Sequence, residues 1–348
     1  MKILALNTEK SWRGGEAQTL LNMEGLRRKS VEIILLASKD SELVKKSTQK
    51  GFEVIEVQNR WQALLFLIKH GQEFDLIHAQ TSKTQLLAVL SKPFHQKPVV
   101  YSRRVNFEVK GWFSKLKYRA TNQVIAITDI IKENLEKIGL KNVKVITDII
   151  ENQDINHRRA KQLIEENNWQ NKKIIATVAA LTSEKDPHTL VRAITHLYTI
   201  RQDFVFLHFG DGKLKTEIEK GINFLKISDI YQLLGHQNDV QDFYAVFDVF
   251  VLASKQEGLG SSILEAFVQR VPVVGTRAGG ITETLENCGL LCEIGDAEGL
   301  AMAIDKLLID KVLSEKLSQN AFEKANKKHS SETVCQAYFE VFEKLISE

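Results

Sequence analysis

Glu257 and Glu265 lie eight positions apart around one glycine-bearing run, Glu257-Gly258-Leu259-Gly260-Ser261-Ser262-Ile263-Leu264-Glu265-Ala266. With one carboxylate just before a helix and one within it, the pair could accept hydrogen bonds from vicinal hydroxyls of a sugar. Each Glu taken singly reads better as a solvated surface residue, and finding both around one loop reverses that reading. The glycines would expose the first amides of the helix to a phosphate, and Ser261 or Ser262 is expected to cap it. Two more loops have the same make-up, Trp12-Arg13-Gly14-Gly15-Glu16 and Arg277-Ala278-Gly279-Gly280-Ile281-Thr282-Glu283. Paired glycines let a backbone approach a ligand closely, although a tight turn would use them as well.

Other chemistries lack their residues. A nicotinamide enzyme needs Gly-x-Gly-x-x-Gly after a strand, and both Gly210-Asp211-Gly212 and Gly258-Leu259-Gly260 lack the third glycine. There is no Gly-x-x-x-x-Gly-Lys-[Ser/Thr] run and no Asp-x-Asp pair. The nine histidines are dispersed, without the spacing of a metal site. Dehydrogenase, P-loop NTPase and metal hydrolase are set aside, and no metal is expected.

The loops need strands and helices to hold them, and the pattern supplies both. In the first half, strands are expected at 2–6, 31–36, 53–57, 75–79, 98–101, 122–127 and 143–146, with helices at 16–29, 41–51, 63–71, 82–90 and 129–138. After a polar stretch at 151–171 the pattern restarts. Strands follow at 173–179, 204–209, 230–234, 246–252, 271–275 and 289–292, with helices at 187–199, 214–225, 261–268 and 300–308. Consecutive apolar residues within strands indicate parallel sheets covered on both faces. The fold class is therefore α/β, with two Rossmann-like, doubly wound halves. The tail from 313 to 348 reads as amphipathic helix, with Tyr338, Phe339, Phe342, Leu345 and Ile346 on a packing face. Ligands of such sheets bind at the carboxyl ends of the strands, so two facing halves would place a site in the cleft between them.

Composition agrees with two soluble domains. The chain has 348 residues, 47 Lys+Arg against 44 Asp+Glu, and is 43% hydrophobic. Its net charge of +3 hides an asymmetry: residues 1–150 hold 25 basic and 15 acidic side chains, residues 151–348 hold 22 and 29. Cys288, Cys292 and Cys335 match no zinc or redox spacing, which suggests reduced thiols in a cytoplasm. The N-terminal apolar run is too short for a signal peptide. The longest uncharged apolar run, 63–68, is six residues, so no membrane crossing is expected.

The run 249–266 resembles the signature of the retaining glycosyltransferases of family 4, the glycosyl transferases group 1, which have the GT-B fold. Val271-Pro272-Val273-Val274-Gly275-Thr276 and Ala278-Gly279-Gly280 match its continuation. Upstream, Val178-Ala179-Ala180-Leu181-Thr182-Ser183-Glu184-Lys185-Asp186 and Phe209-Gly210-Asp211-Gly212 match in order and spacing. Gly14-Gly15-Glu16, Asp75-Leu76-Ile77-His78-Ala79 and Val124-Ile125-Ala126-Ile127-Thr128 correspond in the first half. The resemblance implies an acceptor-binding domain at 1–160, completed by a C-terminal helix at about 330–348 packing back on it, and a donor-binding domain at 161–329.

It also implies roles. Glu265 would hold the ribose hydroxyls of a nucleoside-diphosphate sugar, UDP- or GDP-linked, and Glu257 the hydroxyls of the transferred sugar. Lys185 would neutralise the diphosphate, with the amides of Gly258, Leu259 and Gly260, of Gly14 and Gly15, and Gly210 on the donor. No cofactor or metal is implied beyond that co-substrate. The family has an Arg five or six positions before this Lys, where the chain has Ala180 and Ala179. Arg13, Arg103 and Arg104 are the cations left to replace it. Arg104 also aligns with the family's active-site His; it would hold phosphate or an acidic acceptor, a structural salt bridge being its plain alternative. Arg103, Arg13 and His78 fall on the acceptor side.

With no clear carboxylate nucleophile beyond Glu16 and Glu108, transfer on the same face as the departing diphosphate is the expected mechanism. The product would be bacterial envelope glycan of lipopolysaccharide type. The alternatives are a non-catalytic nucleotide-sugar-binding partner subunit and a GT-B enzyme that processes sugar nucleotides. Basic residues at 110–119, interspersed with Trp112, Phe113 and Tyr118, point to an anionic glycan or lipid-linked acceptor. They also point to the cytoplasmic face of the inner membrane. No nucleic-acid motif is present.

Overall fold

The computed structural model describes residues 1–151, 155–237 and 239–348, which form two units, Met1–Ile149 with Lys328–Glu348 and Ile150–Lys327. The apolar runs of the first half become β1 (Lys2–Asn7), β2 (Glu32–Ser38), β3 (Glu53–Val57), β4 (Leu76–Ala79), β5 (Val99–Arg103), β6 (Gln123–Ala126) and β7 (Val143–Val145). They are parallel, in the order β3-β2-β1-β4-β5-β6-β7. Between them run α1 (Gly14–Arg27), α2 (Glu42–Gln49), α3 (Arg60–His70), α4 (Ser82–His95), α5 (Trp112–Ala120) and α6 (Asp129–Glu136). The sheet is buried on both faces: Leu20, Met23 and Leu26 of α1 cover one, Ala63 and Leu67 of α3 with Leu87 and Ala88 of α4 the other.

In the second unit α7 (His157–Glu166) precedes β8 (Lys173–Val178), α8 (Pro187–Ile200), β9 (Phe204–Phe209), α9 (Lys215–Phe224), β10 (Tyr231–Gly235) and β11 (Val249–Leu252). Then come α10 (Ser261–Val268), β12 (Val273–Thr276), α11 (Gly280–Leu285), β13 (Leu290–Cys292), α12 (Ala297–Ile309) and α13 (Lys311–Lys328). This sheet is also parallel, in the order β10-β9-β8-β11-β12-β13. Each sheet reverses its winding once, between β1 and β4 and between β8 and β11. The loops after those strands are where such folds hold ligands.

The tail is two helices rather than one, α13 and α14 (Ser331–Ser347), and α14 packs on α1 within the first unit, as the expected return of the C-terminus requires. Tyr338 and Phe342 are fully buried there. Three local expectations change. The strand expected at 246–252 begins only at Val249, because Val240–Val246 is a 3-10 turn and the Asp248 carboxylate accepts the Ile174 amide at 2.8 Å. The polar stretch at 151–171 contains α7, with Arg159 pairing to Asp242 at 3.2 Å, while residues 152–154 of it lie outside the described residues. The basic, aromatic segment at 110–119 is itself a helix, α5, of which only Tyr118 is buried.

Candidate active site

The loops after β8 and β11 meet at the switch point of the second sheet. The Glu184 carbonyl accepts the Lys255 amide at 2.8 Å. Asp186, at a left-handed φ of 46°, starts α8 ahead of Pro187. Its buried carboxylate takes the Thr189 hydroxyl at 2.7 Å and the Lys255 ammonium at 3.0 Å, so a second bond ties the loops. Between these anchors Lys185 Nζ donates to Glu257 Oε2, which the Ser254 hydroxyl also reaches at 3.3 Å. Both side chains keep some exposure, 27% for Lys185 and 16% for Glu257. A fixed cation beside a carboxylate, accessible at the sheet's carboxyl edge, can hold an anion and a hydroxyl side by side.

Gly258 and Leu259 follow, and Gly260 closes the loop at φ 84°, where a Cβ would stand 3.1 Å from Ile263 Cδ1. Gly260, not Ser261 or Ser262, is the cap residue of α10: the serines are already helical, and no side chain caps this end. Leu259 is buried with its carbonyl taking the Thr284 hydroxyl at 3.0 Å, and the Gly280 amide donates to the Glu257 carbonyl at 3.2 Å. The third glycine loop thus braces the second.

Glu265 sits half-buried on α10, its Oε2 accepting the Tyr244 hydroxyl at 2.9 Å. Burial pushes its carboxyl up to about 7, and the Tyr244 hydrogen bond opposes that rise. Gly210 supports the site from beneath. At φ +142° its absent Cβ would lie 2.0 Å from the Ala179 carbonyl oxygen, so glycine lets the end of β9 press on the loop that carries Lys185.

In the first unit, Gly14 and Gly15 open α1, with nothing within 4 Å of a Cβ added at Gly15. Glu16 reaches back, its Oε2 accepting the Arg13 amide at 3.0 Å, and the Arg13 side chain is exposed. Arg104, just past β5, is held by Asp148 through Nε at 2.8 Å and by Gln80 Oε1 through Nη1 at 2.8 Å. The salt-bridge reading of Arg104 is therefore part of the structure. Its Nη2 is also buried, without a hydrogen bond among the described residues.

Two acceptor-side expectations are corrected. His78 is 2% exposed, under Tyr338 and Phe342 of α14 with ring centroids 5.5 and 5.2 Å away, so it has no face for an acceptor. The Gln80 carbonyl oxygen is committed to Arg104, so its amide donates to His78 Nδ1 at 3.0 Å. His78 Nε2–H is then the donor to Ser102 Oγ at 2.8 Å, and Ser102 meets the Tyr338 hydroxyl at 2.9 Å. Burial, with the Arg104 charge second, holds the imidazole near 3, hence neutral. Arg103 is spent internally: Nε donates to the Val105 carbonyl at 3.0 Å, Nη1 to the Tyr118 hydroxyl and Nη2 to the Phe107 carbonyl. It fastens the segment ahead of α5.

The comparisons follow the same division. The model of the glycosyl transferases group 1 matches residues 159–324, and that of Glycosyltransferase Family 4 matches residues 12–150. A lipopolysaccharide core biosynthesis glycosyltransferase, LpsE of Rhizobium meliloti (strain 1021), is 33% identical over 48% of this chain. The match spans only about half, 49%, of that relative's own length. A capsular polysaccharide biosynthesis glycosyltransferase, CapM of Staphylococcus aureus, is 23% identical over 94% of this chain and 93% of its own. Among solved structures, Anabaena HepE in complex with UDP and glucose superposes with a TM-score of 0.85 at 21% identity, covering 99% of this chain and 100% of that one.

Proposed function

The chain belongs to the group 1 glycosyltransferases and has their GT-B architecture, and from that premise we propose a retaining transfer of sugar from a nucleoside-diphosphate sugar to a glycan or lipid-linked acceptor. The observation that carries the reading is the Lys185–Glu257 pair at the switch point of the second sheet, with Glu265 on the adjoining helix. HepE holds UDP and glucose, which supports a UDP-linked donor, with a GDP-linked one the other choice. The names of LpsE and CapM support an acceptor in bacterial envelope glycan; a cytoplasmic reaction is part of the proposal alone.

In the proposed reaction Glu265 accepts the ribose hydroxyls, Glu257 holds the sugar, and Lys185 with the α10 amides takes up charge as the diphosphate leaves. Charge stabilisation of that kind is worth most where it is preorganised. The bond from the anomeric carbon to the phosphate oxygen breaks, and one to the acceptor oxygen forms on the same face. The acceptor's proton passes to the departing diphosphate. Arg104 and Arg13 are assigned to an anionic acceptor, and no metal ion is used.

The test is release of nucleoside diphosphate from a panel of donors with envelope-glycan acceptors. Acceptor-dependent release with retained anomeric configuration is expected. Donor binding without release across the panel, or product without acceptor, would defeat the proposal.

Glu265 adds a pH dependence. If the ionised carboxylate binds the ribose, donor affinity should fall as pH drops through about 7, by up to about tenfold per unit. Calorimetric titration of nucleoside diphosphate from pH 8 to pH 5.5 measures it, after correction for the ligand's own phosphate ionisation. Glu265→Gln should bind weakly with a flatter profile. An unchanged profile in that variant removes Glu265 as the titrating group.

A further inference from the structure

We propose that the layer of α3, α4 and α5 on the first unit is a docking surface for an anionic lipid bilayer. α3 packs beside α4 and α4 beside α5. The Lys117 ammonium of α5 donates to the Ser82 hydroxyl at 2.7 Å, and Gln85 of α4 to the Thr121 hydroxyl at 3.0 Å. The inner sides of α3 and α4 are spent on the sheet. Their outer sides carry large apolar side chains among the polar ones, where the free face of a surface helix is ordinarily polar. Trp61 and Leu65, one turn apart on α3, are 64% and 54% exposed; Leu90 and Phe94 on α4 are 50% and 52% exposed. On α5, Trp112 and Phe113 reach 75% and 54%. Of the ten large apolar side chains exposed on the first unit, nine fall between Trp61 and Leu116.

Charge gathers in the same stretch. Residues 60–119 hold 11 basic and three acidic side chains, against 25 and 15 over residues 1–150. Two of the basic ones, Arg103 and Arg104, are turned inward, and two of the acids, Glu73 and Glu108, already face His70 and Lys110. Lys115 and Arg119 are exposed beside the α5 aromatics.

Apolar and cationic side chains in one layer suit a single kind of partner. A protein interface core is depleted of Lys, and a phosphate backbone has no place for this much exposed hydrocarbon. At a bilayer surface, Trp and Phe enter the headgroup level while Lys and Arg meet lipid phosphates. None of the described helices is long and apolar enough to cross a membrane, so the contact would be peripheral. The proposal stands on exposure and charge and does not depend on the donor chemistry.

Sedimentation of the full chain with vesicles tests it. Strong binding is expected to phosphatidylcholine vesicles containing phosphatidylglycerol, weakened by salt, and little binding to phosphatidylcholine alone. The pairs Trp112→Ser with Phe113→Ser, and Lys115→Glu with Arg119→Glu, should each weaken binding at least about tenfold at low salt. Trp61→Ser with Phe94→Ser should weaken it too, which a patch confined to α5 would not show. Unchanged melting temperatures and unchanged nucleoside diphosphate affinity, which is assigned to residues of the second unit, separate lost docking from lost folding or a damaged donor site. Absence of sedimentation with anionic vesicles, binding indifferent to all three pairs, or self-association that these pairs abolish without any vesicle binding would overturn the proposal.

Discussion

Replacing Glu257 by Ala should lower turnover about 10²–10³-fold, the loss seen when one group that stabilises a transition state is removed, with the melting temperature nearly unchanged. Stability is spared because the Lys185–Glu257 pair is partly exposed, and such pairs contribute at most about 1 kcal/mol. Nucleoside diphosphate affinity should also be spared, because Glu257 is assigned to the sugar and Glu265 to the nucleotide. Lys185→Ala should lose both turnover and diphosphate affinity. The two side chains touch, so their effects should not add, and the double variant should fall short of the summed losses. Glu257→Gln keeps the shape and one acceptor oxygen while dropping the charge, and separates sugar hydrogen bonding from charge balance. Single-turnover rates and calorimetric titrations on these variants decide the matter. Near-normal transfer by Glu257→Ala would remove the assignment.

How much of this was readable in the residues depended on whether the signal was local. β9 falls where its apolar run puts it, because a strand buried on both faces must be apolar throughout, and β3, at the sheet edge, and α10 also match their expected bounds. Glu257 and Glu265 are legible through loop chemistry after β11, and Lys185 only through the family resemblance. α5 and α7 escaped because neither carries a wide apolar stripe; each buries a single side chain, Tyr118 or Ala160. The partners that hold the site escaped for a different reason. Tyr244 reaches Glu265 across 21 positions, Asp148 reaches Arg104 across 44, and Gln80 reaches Arg104 across 24. No spacing rule announces such pairs. His78 and Arg103 were assigned by type, and burial under α14 and behind α5 gave them interior work instead.

Asp148→Ala should destabilise the first unit by about 3–5 kcal/mol, the cost of leaving a buried charge without its partner. Arg104 and Asp148 side chains are only 10% and 6% exposed, so water cannot easily take the missing place. At about 2–4 °C per kcal/mol for a unit of this size, the melting temperature should fall on the order of 10 °C. Burial raises the Asp148 carboxyl even with Arg104 alongside, and taking two charges out of water costs much of what their attraction returns. Replacing both, Arg104→Met with Asp148→Leu, should therefore recover most of the lost stability. If Arg104 also meets an anionic acceptor, as assigned above, it does so through the small part of its side chain that stays exposed. The double variant should then melt close to the parent protein yet use an anionic acceptor at least about tenfold less well, the loss of one hydrogen bond to a charged group. A double variant that is both stable and fully active would reduce Arg104 to its structural role. Asp148→Ala melting with the parent protein would show that the guanidinium reaches solvent after all.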